Sequence, residues 1–125
     1  MKIDPDSVPN TVSEAVNRLY DSLNVEEIAG IKKLHQLGSH HGFGTFLRNS
    51  WSLWEDTPLK RDAVATYGIA HADDISSLIR DWVVAKVCAE ELDPHEVCER
   101  FHEHWERNGT DSLKAAGWPP NSKAE

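Results

Sequence analysis

The sequence predicts an all-α protein, a compact single-domain bundle of six or seven short helices, and three observations predict it. Apolar residues recur three and four apart through most of the chain, the period of a helix and not the alternation of a strand. Capping residues, or proline at a first helical position, precede these runs, and glycine commonly follows them. No alternating segment is strong enough to found a sheet. At 125 residues the chain is one domain by size and can bury a core without disulfides or metal.

Residues 1–10 hold two prolines and two aspartates and read as an extended arm before a domain spanning 11–118. Thr11 and Glu14 form a capping box, and Val12, Ala15, Val16, Leu19, Tyr20 and Leu23 keep helical spacing behind it. Asn24 and Glu27 form a second box, opening a helix with Ile28, Ile31, Leu34 and Leu37 as its apolar positions and Gly38 as its stop.

The stretch from His40 to Trp54 is the richest in chemistry. On a helix Phe43, Phe46, Leu47, Ser50 and Trp54 share the core-facing side, with Trp51 and Leu53 flanking it. His41 and Arg48, two turns apart, share a second face, and His40, Gly44 and Trp51 line the border. A helix-interior glycine costs ~1 kcal/mol relative to alanine, so Gly44 marks a close approach by another helix or by a ligand.

Thr57-Pro58 then reads as a cap and first helical residue, with a helix to about Tyr67 stopped by Gly68. A loop containing His71 enters the most apolar helix, where Ile75, Leu78, Ile79, Trp82 and Ala85 form one stripe and Val83, Val84 and Val87 fill the other side. A helix apolar all round is central. Asp93-Pro94-His95-Glu96 begins a helix carrying Val97, Phe101 and Trp105 inward, ending at Asn108-Gly109. Thr110 caps a last short helix through Ala116, Gly117 stops it, Trp118 folds back, and residues 119–125 read as a disordered tail.

The formal charge of −8 repels nucleic acid and anionic membrane surfaces and admits a basic protein partner. No run spans a bilayer and no signal-peptide pattern opens the chain, so a cytoplasmic location is expected. Cys88 and Cys98 are then expected as small buried hydrophobes and not a disulfide. No cofactor or metal is expected. His102 and His104 are two apart on opposite sides of a helix, His95 and Glu99 read as a solvated pair, and no spacing specifies a site from His40, His41, His71 and Asp73.

Asp73 and Asp74 fall in the first turn of the central helix, where carboxylates complement the dipole. One suffices for that; two, preceded by His71, point to a pairing with Arg48 or to a ligand site. Ser76 and Ser77 have the residue type of a nucleophile but no glycine elbow to expose one.

Arg48-Asn49-x-Trp51-x-Leu53-Trp54, with His40 and Gly44 before it and Gly68-Ile69-x-His71-x-Asp73-Asp74-x-Ser76 after it, resembles a family of small bacterial proteins of unknown function. Its members share an Arg-Asn-Asn-Trp-Gly-Leu-Trp and a His-Pro-Asp-Asp segment. This chain departs from them at Ser50, Ser52 and Ala72. The resemblance implies that His40, Arg48, Asn49, His71, Asp73 and Asp74 belong to one constellation, and it implies no activity. Together with His41 and Trp51 these residues form the candidate ligand-binding set.

The leading functional expectation is a non-enzymatic acidic binding protein that recognises a basic partner, as immunity or antitoxin-like proteins do, or a small polar ligand, through the His/Arg/Asn/Asp cluster around Arg48 and Asp73. The competing one is a small hydrolase or transferase acting on a nucleotide-like substrate, with Arg48 and Asn49 on an anion and His71 or an aspartate as general base. A homodimer through exposed tryptophans is a third.

Overall fold

The structure, a computed structural model, describes residues 7–36 and 55–119, and within them the chain is all-α. Six helices are described: α1 (Val12–Ser22), α2 (Val25–Gln36), α3 (Pro58–Tyr67), α4 (Ala72–Val87), α5 (Pro94–Arg107) and α6 (Ser112–Ala115). The fifteen-residue stretch from His40 to Trp54 lies outside the described residues.

As its all-round apolarity predicts, α4 is the centre, packed against α1, α2 and α5. Ile75, Leu78, Ile79 and Val83 are fully buried there beside Leu19 of α1 and Leu59 of α3. Each such leucine or isoleucine contributes ~1.5–3 kcal/mol by leaving water. The β-branched pair Val83-Val84 is helical, because packing on both sides outweighs a small propensity difference.

The caps follow the sequence closely. Thr11 Oγ1 accepts from the Glu14 N–H at 3.0 Å, while the Glu14 carboxylate reaches past Thr11 to the Asn10 N–H. Asn24 and Glu27 form the full reciprocal box, at 2.8 and 3.1 Å. Thr57 caps α3, Pro58 opens it, and Gly68 ends it at φ 69°, a left-handed conformation in which a side chain is strained. A tertiary cap joins α1 to α3, where Asp62 Oδ2 accepts the Val12 N–H at 2.8 Å.

Three sequence expectations change. Leu34 is 44% exposed, because residues spaced by three drift 60° per step and Leu34 sits two steps beyond Ile28. No residue of α2 whose burial is described is fully buried. The cap of α6 is Asp111 and not Thr110: the Asp111 carboxylate accepts from the Lys114 N–H at 2.8 Å, while the Thr110 N–H closes the end of α5 on the Trp105 carbonyl. Finally, Cys98 is buried as expected, but Cys88, at the C-cap of α4, is only half-buried; both thiols are free.

The N-terminal arm is tied where it meets the domain. Arg18 donates to the Ser7 carbonyl at 2.6 Å, and Val8 packs against the core. At the other end the Trp118 N–H donates to the Leu113 carbonyl at 2.9 Å, closing the end of α6. Among the described residues no helix is long and apolar enough to cross a membrane.

Candidate functional site

The start of α4 is built by a histidine cap. His71 takes an extended backbone, and its Nδ1 accepts from the Asp73 N–H at 3.1 Å. This places Asp73 and Asp74 in the first turn, at the positive end of the helix dipole. One turn carries them to opposite fates. Asp73 is exposed, with an oxygen 3.7 Å from His71 Nδ1, whereas Asp74 is buried.

Asp74 is the hub of a polar network inside the domain. Its Oδ2 accepts from the Trp105 indole N–H of α5 at 2.8 Å and from the Ser112 hydroxyl of α6 at 2.7 Å. Ser112 is fully buried, and its oxygen also accepts the backbone N–H groups of Ala70 at 3.1 Å and His71 at 3.2 Å. That hydroxyl thereby uses its one donor and both acceptor positions. The His71 and Trp105 rings lie 5.2 Å apart, closing the cluster from the side. Burial, with the Asp74 charge adding to it, pushes the Cys98 thiol up to about 12.

Chemically this arrangement joins helices. A carboxylate that accepts two side-chain donors on one oxygen is a strong anchor between α4, α5 and α6. Ser112 is enclosed, and Ser76 is buried with its hydroxyl donating to the Asp73 carbonyl at 3.1 Å, so neither presents a nucleophile to solvent. Of the candidate set, the structure brings His71, Asp73 and Asp74 together. His40, His41, Arg48, Asn49 and Trp51 lie outside the described residues, as does any pairing of Arg48 with Asp73 or Asp74.

Trp105 and Ser112 are the members that sequence reasoning missed. An inward tryptophan needs an acceptor for its indole N–H, and that need is a readable signal pointing to a buried carboxylate. Ser112 gives no such signal. The histidines of α5 are engaged locally: His95 packs on Tyr67 with centroids 5.0 Å apart, His102 Nε2 lies 3.3 Å from the Tyr67 carbonyl, and His104 sits edge-on to Trp105.

A cleft of about 390 Å³ runs along α5 and the loop before it. Its walls carry Glu91, Asp93, Glu96, Glu99 and Glu103, Arg100 is the one basic lining residue, and the partly buried Leu92 supplies apolar surface, with core Val97 at its floor. Glu96, Glu99 and Glu103 are spaced by three and four, which aligns them on one face of the helix.

The described fold is thus a small helical domain with a buried carboxylate hub and an acid-walled cleft. The chain belongs to a family whose sequence model, described as a domain of unknown function (DUF6794), matches residues 8–86. The matched segment includes His71, Asp73 and Asp74 and stops before Trp105 and Ser112. No curated protein and no solved structure matches the chain.

Proposed function

We propose that this chain is a non-enzymatic binding protein that recognises a basic protein partner, as immunity and antitoxin-like proteins do, and that the partner lies in the cleft on α5. The observation that carries this is the make-up of that cleft, five carboxylates around the part-exposed apolar side chain of Leu92. Carboxylates aligned on one helix face repel one another, and a partner bringing lysines or arginines relieves that repulsion as it binds. The formal charge of −8 steers such a partner inward, while the apolar surface rewards a partner that is amphipathic as well as basic.

The Asp74 network supports this role by holding the helix that carries the cleft. Anchored through Trp105, α5 meets a partner already ordered, and an ordered surface loses less entropy on binding. Two free thiols fit a reducing cytoplasm.

The test uses three labelled peptides as probes: an amphipathic Lys/Leu helix, its Glu/Leu counterpart and a lysine oligomer without an apolar face. In fluorescence anisotropy the Lys/Leu peptide should bind the wild-type chain tightest, with affinity falling as salt rises. The triple variant Glu96→Lys, Glu99→Lys, Glu103→Lys should lose that binding while keeping its circular dichroism spectrum. Equal binding of the triple variant, or of the lysine oligomer and the amphipathic peptide, overturns the proposal.

A further inference from the structure

We propose that His35, Cys88 and Glu90 form a binding site for one borderline-soft divalent cation, with Zn²⁺ the ion their donors suit best. Imidazole nitrogen, thiolate sulfur and carboxylate oxygen are the three donor types that zinc takes from proteins. Here they come from two distant parts of the chain, the last turn of α2 and the end of α4, and one ligand atom from each lies within 4.8 Å of the others. His35 Nε2 and Glu90 Oε1 already meet at 2.7 Å. Tetrahedral zinc with ordinary bond lengths separates such donors by ~3.3–3.6 Å, so side-chain rotations of about 1 Å suffice to close the site.

The backbone brings the donors together in a definite way. Cys88 is the C-cap of α4, and Ala89 after it stands at φ 54°, a left-handed conformation that usually falls to glycine. That turn directs the Glu90 N–H back to the Ala85 carbonyl at 2.8 Å, setting Glu90 beside the thiol. His35 Nδ1 is buried, leaving Nε2 as the nitrogen turned toward Glu90.

A cleft of about 350 Å³, bordered by His35, Glu90, Asp81 and Arg100, gives solvent access to the His35 and Glu90 donors. Three protein donors leave the fourth tetrahedral position to water or an exogenous ligand. On binding, the sulfur–zinc bond forms as the Cys88 thiol gives its proton to solvent, so uptake releases a proton and strengthens as pH rises. The ion would also clamp α2, which lacks a fully buried side chain among those described, onto the central helix.

The experiment is titration of the full chain with Zn²⁺ by calorimetry and with Co²⁺ by absorption, alongside Cys88→Ser, His35→Gln, Glu90→Gln and Cys98→Ala. Wild type and Cys98→Ala should bind one ion per chain, show the thiolate-to-cobalt charge-transfer band and melt higher with zinc. Cys88→Ser should lose the band, and His35→Gln and Glu90→Gln should each weaken zinc at least tenfold, all three keeping the wild-type circular dichroism. A wild type without the band, a band that survives in Cys88→Ser, or zinc affinity unchanged in both His35→Gln and Glu90→Gln overturns the proposal. Binding to the general acidic surface would give that last result.

Discussion

At the scale of single residues, Asp74 does the most. Its Oδ2 accepts from both Trp105 and Ser112, so removing it strands two donors inside the domain. Loss of a buried hydrogen-bonding partner costs ~1–3 kcal/mol for each group left unsatisfied. Asp74→Ala should therefore lower stability by several kcal/mol in a denaturant titration. Asp74→Asn, which keeps an acceptor oxygen and loses the charge, should lose about half as much; equal losses would show that charge and not hydrogen bonding is what Asp74 supplies. Cys98 gives a second prediction, through pH. Its thiol titrates near 9.0 when unfolded and at about 12 in the fold. Between those values the unfolded chain has released a proton that the folded chain retains, so stability falls as pH rises, by up to about 1.4 kcal/mol per pH unit. Denaturant titrations from pH 8 upward should show that decline in wild type and a shallower one in Cys98→Ala.

At the scale of elements, the helix ends were the most legible part of the sequence. Thr11, Asn24, Thr57 and Asp93 all cap the helices they precede, because a short polar side chain before an apolar run has few better uses. Capping by His71 was not legible, since an imidazole acceptor resembles a catalytic or ligand group as much as a cap. His71→Ala should lower stability by ~1 kcal/mol, and His71→Asn should recover most of it, since asparagine is among the best capping residues. A thermal melt of the three proteins checks this, and an asparagine variant no better than alanine would show that contact with the Trp105 ring, not capping, is the work of His71. Thr110 was misread because two elements compete for it: the close of α5 takes its N–H, and Asp111 is left to cap α6.

At the scale of the whole molecule, the all-α class and the central place of α4 follow from period and apolarity alone. The candidate site was legible only in part. Asp73 and Asp74 are adjacent in sequence and look alike there, yet one is exposed and the other is a buried hub, a difference set by Trp105 and Ser112 about thirty to forty residues on. Such partners are invisible to spacing rules. The acidic cleft was foreshadowed as net charge without a location, and the grouping of His35 with Cys88 and Glu90 matches no spacing motif because its donors lie on separate elements.

The most direct measurement is an amide-resolved NMR titration of the isotopically labelled chain with the amphipathic Lys/Leu peptide. If the acid-walled cleft receives a basic partner, the shifts should concentrate in residues 91–103 and shrink as salt is added, with the indole N–H of Trp105 little changed. Shifts centred on His71 and Asp73, or spread evenly over the surface, would contradict it.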